Sequence, residues 1–324
     1  MNTAMTLAGK LGIDRAVAIA FGCIVLLLLG GALYSREFLS PQYLLQQMQI
    51  AAFLGVIASG AMMVILLGHI DLSVPWVVTL GAMMATALPG WISGTMGVAL
   101  AIPFGILCGA LIGVLNGLGV AYLRLPSMIF TLGMNAVVQG FMVLHTGGFA
   151  PLDHSTDLMH FLAVNRSILG IPNALFVWAF VGVLVVLILQ RTGFGRAVYA
   201  IGNKESAAYL SGINTNAVLI GCFALCGACA AFAGVLLAGY STKAYQGMGD
   251  PYLLPAIAAV VLGGTNILGG RGSYAGTIAG VILITLLQSI LSVMQMPEAG
   301  RQVIYGSVIV GMLLLYGRAA KTRS

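Results

Sequence analysis

The chain has 324 residues, of which 60% are hydrophobic and 7% charged, with 14 Lys and Arg against 8 Asp and Glu for a net charge of +6. Soluble domains carry about 25% charged residues, so these values exclude a water-soluble globule, a disordered chain, a nucleic-acid-binding domain and a disulfide-stapled module. They leave an all-α, polytopic membrane protein, and its 44 glycines suit helices that must approach closely where lipid removes the hydrophobic drive for association.

Apolar runs of about 20 residues, each enough to cross a hydrocarbon core of about 30 Å, occur at 16–34, 44–67, 74–90, 95–122, 128–145, 172–190, 217–239, 252–268, 273–294 and 301–316. They predict about ten transmembrane helices. The runs 74–90 and 252–268 are short and rich in Gly and Pro, as broken or re-entrant segments are. The first run has no clear small-x-small cleavage site and reads as an uncleaved helix. Ten crossings put both termini on one side. Lys10, Arg15, Arg124, Arg191, Arg196, Lys204, Arg271, Arg318, Lys321 and Arg323 then share that side, which is therefore cytoplasmic. Glu37, Asp153, Asp157, Asp250 and Glu298 face outward, together with Arg36, Arg166, Lys243 and Arg301, and the longest outward loop is 146–171. The whole chain, 1–324, reads as one transmembrane domain.

Four segments carry polar groups that such a protein must explain. In 68–75, Asp71 lies at or near the membrane, where a charge needs a partner or water. Ser73 fits a helix N-cap and Pro75 its first turn. The segment is either a tight turn with a capping carboxylate or a helix break facing a transport path. In 116–139, Thr131, Asn135 and Gln139 are four apart and share one helix face, serving either helix–helix hydrogen bonds or a pore lining. With Asn116 they offer neutral donors and acceptors suited to a neutral polyhydroxylated solute. The segment 191–216 is too polar to span. Its residues 204–211 predict a short helix, with Asn203 as N-cap and Gly212 as stop, which is either a connector or a docking knob for a cytoplasmic partner. In 245–276, glycines flank Thr265 and Asn266, and Asp250-Pro251 reads as a turn that starts a helix. Asp71, Asn116, Thr131, Asn135, Gln139, Thr265 and Asn266 are thus the candidates for a substrate path. Cys222, Cys226 and Cys229 have no carboxylate or His near them in the sequence and read as small packing residues rather than a metal site. No G-x-x-x-x-G-K-[ST] loop is present, so any ATP must be hydrolysed by another subunit. None of the four His residues (69, 145, 154, 160) is clearly placed with a Ser nucleophile or a metal-ligand cluster that would suggest an enzyme.

Taken together, these segments resemble the permease subunits of bacterial ABC importers for monosaccharides, of the ribose, arabinose and xylose type. The resemblance rests on Gly-x-Ile-Asp-Leu-Ser at 68–73, Asn116-Gly117 to Arg124-x-Pro126 and Phe130-Thr131-Leu132-Gly133, Gly193-Phe-Gly-Arg196 to Tyr199-Ala-x-Gly-Asn203 and Ser211-Gly212-Ile213, and Ala256 to Gly263-Gly264-Thr265 and Gly269-Gly270-Arg271-Gly272. It covers roughly residues 45–316. It implies a multi-pass protein of the bacterial inner membrane, paired with a second permease copy or a paralogue. It further implies an ABC ATPase subunit on the cytoplasmic side, which hydrolyses the ATP, and a periplasmic sugar-binding protein, with no cofactor bound by this chain. The family's coupling loop corresponds to 191–216, with Arg196, Glu205, Ser206, Ala207, Ala208 and Gly212 as the coupling residues. Where the wider group of importers shows Glu-Ala-Ala-x-x-x-Gly, this chain has Ser206-Ala207-Ala208 and Gly212, with Glu205 displaced by one. His69 replaces a common Gly, and Pro75 and Trp76 stand where the family continues with Gly and a small residue. Other readings are a branched-chain amino-acid permease, against which the Ile-Asp-Leu-Ser pattern speaks, and a permease for another small polar solute such as a furanosyl signal. An ion-coupled secondary transporter is a further reading, for which Asp71 is the one carboxylate near a span core.

Overall fold

The computed structural model describes residues 15–34, 36–297, 299–307 and 310. Lys10, Glu298, the tail cations Arg318, Lys321 and Arg323, and hence the side on which either terminus ends, lie outside the described residues. The helices are α1 Arg15–Tyr34, α2 Pro41–Leu66, α3 Val74–Trp91, α4 Thr95–Leu123, α5 Ser127–His145, α6 Asp157–Ala163, α7 Asn173–Arg191, α8 Gly193–Asn203, α9 Glu205–Leu210, α10 Thr215–Ser241, α11 Leu253–Leu262 and α12 Tyr274–Val293. The chain is helical again at 299–307. Among the described residues, seven helices (α2, α3, α4, α5, α7, α10 and α12) are long and apolar enough to cross a membrane, and the 20-residue α1 is of the same length class.

Local chemistry sets the boundaries. Pro41 opens α2 and the Ser40 Oγ accepts from the Tyr43 N–H (3.3 Å). At α8, Thr192 Oγ1 accepts from the Gly195 N–H (3.1 Å), at α10 Asn214 Oδ1 accepts from Ala217 (3.1 Å), and at α12 Ser273 Oγ accepts from Gly276 (3.3 Å). Each satisfies one of the N–H groups that a helix start leaves open. The run 74–90 is one unbroken helix, because Pro75 falls in its first turn and Pro89 close to its end. The run 252–268 differs: α11 has ten residues, about 15 Å, or half the hydrocarbon thickness. The rest of that crossing is the non-helical segment 242–249, which leaves the end of α10 and descends until Gly249 packs on the Pro75 carbonyl and its N–H donates to Thr79 Oγ1 (3.2 Å). Asp250, expected on the outer face, therefore lies at the bottom of this descent, beside the first turns of α3. A small hairpin, β1 Arg166–Ile168 with β2 Ile171–Pro172, departs from the all-α expectation. Leu169 (φ 52°) and Gly170 (φ 74°) turn it.

The centre of the bundle is α10 against α2, α3 and α4. Along α4, Gly105, Gly109, Gly113 and Gly117 recur every fourth residue and present one face. A Cβ at Gly113 would collide with the Phe223 carbonyl, one at Gly109 with Ala231 and Gly227, and one at Gly117 with the Ile220 backbone. The partner helix answers in kind, since Gly227 abuts the Gly109 carbonyl and Gly234 the Val78 carbonyl. Backbones in direct contact maximise dispersion, the main attraction left between helices in lipid.

Substituting Gly113 by Leu is expected to abolish the monodisperse detergent-solubilised protein, and by Ala to lower its thermal midpoint. Gly133→Ala, where a Cβ meets nothing within 4 Å, leaves both unchanged. Size-exclusion chromatography and a thermal unfolding scan read the difference.

Candidate functional site

The linker 67–73 does not stay at the helix ends. Asp71 is buried and is reached by the thiol of Cys226, which lies eleven residues, or about 16 Å, along α10 from its first residue. The turn thus folds back into the bundle, and α3 begins inside the protein. The Asp71 Oδ1 accepts from the Ser73 N–H (2.9 Å) and from Ser73 Oγ (2.6 Å), which closes the first turn of α3. Asn116 of α4 donates its Nδ2 to Ser73 Oγ (2.7 Å) and more distantly to Asp71 Oδ1 (3.4 Å). Every one of these partners is a neutral donor, and together they offset the cost of burying the carboxylate without an opposite charge. The Asn116 Oδ1 is buried with no partner.

A helix that starts inside protein has N–H groups that water cannot reach. Here α5 supplies the acceptors. Ser127 Oγ accepts from the Ile70 N–H (3.4 Å), Thr131 Oγ1 from Leu72 (2.9 Å) and Asn135 Oδ1 from Trp76 (3.4 Å). The four-residue spacing of α5 thus matches successive turns of the linker and α3, which assigns Thr131 and Asn135 to bonding between elements. Gln139, the next residue of the stripe, lies beyond the reach of that backbone and is exposed. It shares the open surface of α5 with Gly133 and Gly140, around which there is empty space.

Thr265 and Asn266 lie apart from this cluster, in the turn after α11. Thr265 is fully buried under Gly272 and its hydroxyl has no partner. Asn266 braces the turn: its Nδ2 donates to the Gly269 carbonyl (3.1 Å) and its Oδ1 accepts from the Leu268 N–H (3.1 Å). The turn is fastened to its neighbours, since the Gly270 N–H donates to the Leu66 carbonyl (2.9 Å) and the Tyr199 hydroxyl to the Gly272 carbonyl (3.0 Å). Burial raises the Tyr199 phenol above its ordinary value, which keeps it a donor. Asn203 was expected to cap the following helix. It instead ends α8, where its Nδ2 donates to the Tyr199 carbonyl (2.9 Å) and reaches the Gly270 carbonyl (3.5 Å).

The short helix of 191–216 is α9, Glu205–Leu210, and its N-cap position is Lys204. Gly212 (φ 84°) ends it, with the Ile213 N–H donating to the Ala208 carbonyl (3.1 Å). Ala208 is buried and anchors α9, whereas Glu205, Ser206 and Ala207 are exposed, as is Arg196 on α8. Tyr209 and Leu210 are exposed as well, at 69% and 84%. His69 at the linker tip faces this region. Burial lowers its imidazole below the usual value, against a smaller upward pull from the Glu205 carboxylate, and its Nδ1 lies 3.3 Å from Ser127 Oγ.

Sequence reasoning did not single out Ser73 as a partner of Asp71 and Asn116, nor Cys226 beside that carboxylate. Ser127 had a signal, since it extends the spacing of Thr131 and Asn135 one turn back. Cys226 had none, because its neighbour is far away in the chain.

The family described as the permease component of branched-chain amino acid transport systems matches residues 43–315. The ribose import permease protein of Bacillus subtilis (strain 168) is 33% identical over 304 residues, covering 94% of this chain and 93% of its own. The ribose import permease protein of Escherichia coli (strain K12) is 31% identical over 326 residues, covering 97% and 98%. The autoinducer 2 import system permease protein of Shigella flexneri is 31% identical over 305 residues, covering 94% and 87%. No solved structure matches the chain.

Replacing Thr131 by Val leaves the Leu72 N–H orphaned in the bundle and should cost about 1–3 kcal/mol. Gln139→Leu, which removes no bond, should not lower stability. Unfolding of the two variants in the same detergent micelle, followed by circular dichroism, measures both.

Proposed function

The chain belongs to this family of transport-system permease components, and from that premise we propose that it forms the translocation path of an ATP-driven ABC importer for a monosaccharide handed over by a soluble binding protein. It is a multi-pass protein of the inner membrane and a transport subunit. In this reading it binds no cofactor, and ATP is hydrolysed by a partner on the cytoplasmic side. The observation that carries the reading is α9, a water-side helix that shows Tyr209 and Leu210 to solvent. Apolar side chains exposed there, beside the exposed Ser206 and Ala207, fit a helix that lies in a partner's groove.

The same elements suggest how motion passes inward. When the partner ATPases close, α9 moves with them. The bonds from Asn203 and Tyr199 to Gly270 and Gly272 couple α8 to the turn after α11, and the Gly270–Leu66 bond couples that turn to α2. Displacing α9 therefore rocks packed helices as bodies. This chain performs no covalent chemistry, and tight selection belongs to the soluble receptor. The open face of α5, with Gln139 between Gly133 and Gly140, is where a second copy or a paralogue closes the path. Asp71, Asn116, Thr131 and Asn135 act on that path as the support that holds the start of α3, while Thr265 and Asn266 act on it from the hinge turn. A sugar is favoured over an amino acid because the relatives of 31–33% identity carry the names of ribose and autoinducer 2 permeases.

Uptake of labelled pentoses, hexoses and autoinducer 2 by vesicles containing the chain, its ATPase and its binding protein tests the reading. One of these solutes should accumulate with ATP present even after the proton gradient is dissipated. Loss of uptake on dissipation would favour an ion-coupled carrier. Ala207→Trp and Arg196→Ala should each lower uptake by about tenfold or more while the partner keeps hydrolysing ATP. Normal uptake by both variants would overturn the docking assignment.

A further inference from the structure

At the outward ends of α3 and α5 lies a cleft that none of the elements above uses. It has a volume of about 380 Å³ and is lined by Trp91, His145, Thr146, Phe149 and Asp153 among others. That is the small end of the range for ligand sites, about 300–1,000 Å³. Trp91 closes α3. Its indole stands perpendicular to the rings of His145 (5.6 Å between centroids) and Phe104 (6.2 Å), so its orientation is fixed from two sides. Over half of its surface remains open, at 54% exposure. The Asp153 carboxylate stands over the neighbouring Gly90, with its Oδ1 4.0 Å from where a Cβ would be.

The wall of the cleft is built in advance. Gln246 donates its Nε2 to Thr146 Oγ1 (2.7 Å) and to the Phe149 carbonyl (3.1 Å). The Ser155 N–H donates to the Thr242 carbonyl (2.9 Å), and His154 pairs with Lys243 as an antiparallel bridge. The loop 146–156 is thereby bonded along its length to the segment that descends toward α11.

We propose that this cleft is a low-affinity holding site for a neutral monosaccharide at the outer mouth of the transport path. The inference rests on the transport reading given above and adds a place and a set of contacts to it. Trp91 and Phe149 offer apolar surface to the C–H face of a sugar ring. The Asp153 carboxylate accepts from ring hydroxyls, and a charge-assisted bond of this kind is about twice as strong as a neutral one. Thr146 and His145 supply further polar atoms. The lining contains neither Lys nor Arg, so an amino acid that paired its ammonium with Asp153 would leave its carboxylate without a cationic partner, which disfavours that class. The larger cavity of about 580 Å³ between α7 and α12, lined by Leu175, Trp178, Gly182 and Tyr274, lacks this chemistry. Its indole N–H and phenol are already bonded to one another (3.1 Å).

Intrinsic fluorescence gives a direct test, because Trp76 and Trp178 are each only 6% exposed against 54% for Trp91. The full chain in lipid nanodiscs is titrated with D-ribose, D-xylose, D-arabinose, D-glucose and D-galactose from about 0.1 to about 100 mM, the range of a weak site. At least one sugar should change the emission saturably, with the change absent in Trp91→Phe and half-saturation raised about tenfold or more in Asp153→Asn. No saturable change with any of the five, or a change that survives Trp91→Phe or is unaltered by Asp153→Asn, overturns the site. Uptake by the assembled importer is measured beside it. Transport of a sugar that gives no signal discards the cleft and leaves the transport reading standing. A saturable Trp91 signal without ATP-dependent uptake keeps the cleft and discards that reading.

Discussion

The bundle depends on backbone touching backbone between α4 and α10. Side chains larger than hydrogen at Gly109, Gly113 and Gly227 would force the two helices apart, and in lipid no hydrophobic effect would push them together again. Once this pair is in contact, α10 has a free flank that receives α3 through Gly81 and Gly234, and another that receives α2 through Gly60 against Cys226 and Cys229. The arrangement leaves most of α4 and nearly all of α5 open on the far side, where apolar residues such as Leu111, Leu115, Phe141 and Leu144 face outward. A helix so lightly packed within its own chain is free to serve as a surface for something else.

That central contact also makes room for irregular backbone. The linker 67–73, the descent 242–249 and the turn 263–272 each carry buried residues between helices, where an unpaired N–H or carbonyl has no water to turn to. Each is met by a specific partner: the hydroxyls and amide of α5 for the first, Thr79 for the second, and Leu66, Tyr199 and Asn203 for the third. Two of the polar residues aligned along α5, Thr131 and Asn135, accept from the backbone that starts α3. For Thr131 and Asn135 the side-chain partner shows a structural bond that periodicity alone does not reveal.

Features encoded within one or two turns were legible from the amino acids alone. Ser73 and Pro75 mark the start of α3, Gly212 the end of α9, and the shared face of Thr131 and Asn135 follows from their spacing. The shortness of the run at 252–268 also had its physical counterpart in a half-length helix. What escaped were pairings across long stretches of chain. Asn203 looks like a cap for the helix that follows it, and only the arrival of Gly270, 67 residues later, makes it a clasp. Cys226 reads as packing because nothing in its own segment is charged, and folding alone sets it against Asp71. The outer cleft draws on α3, α5 and the loop after it, with Gln246 from a fourth place, and none of these segments carries a local motif. The hairpin at 166–172 was hidden because Leu-Gly is an unusual pair for so tight a reversal.

The stretch from Gln246 to Gly272 is tethered at both ends, to the rim loop above through Thr146 and to the hinge of α8 below through Tyr199 and Asn203. Between these anchors the chain is compact, with turns at 246–249 and 263–264 on either side of the ten-residue helix α11. The rim loop and α8 are therefore joined through one short run of chain. Whatever shifts the rim loop and whatever shifts α8 thus act on the same 27 residues, a link made by covalent connectivity alone.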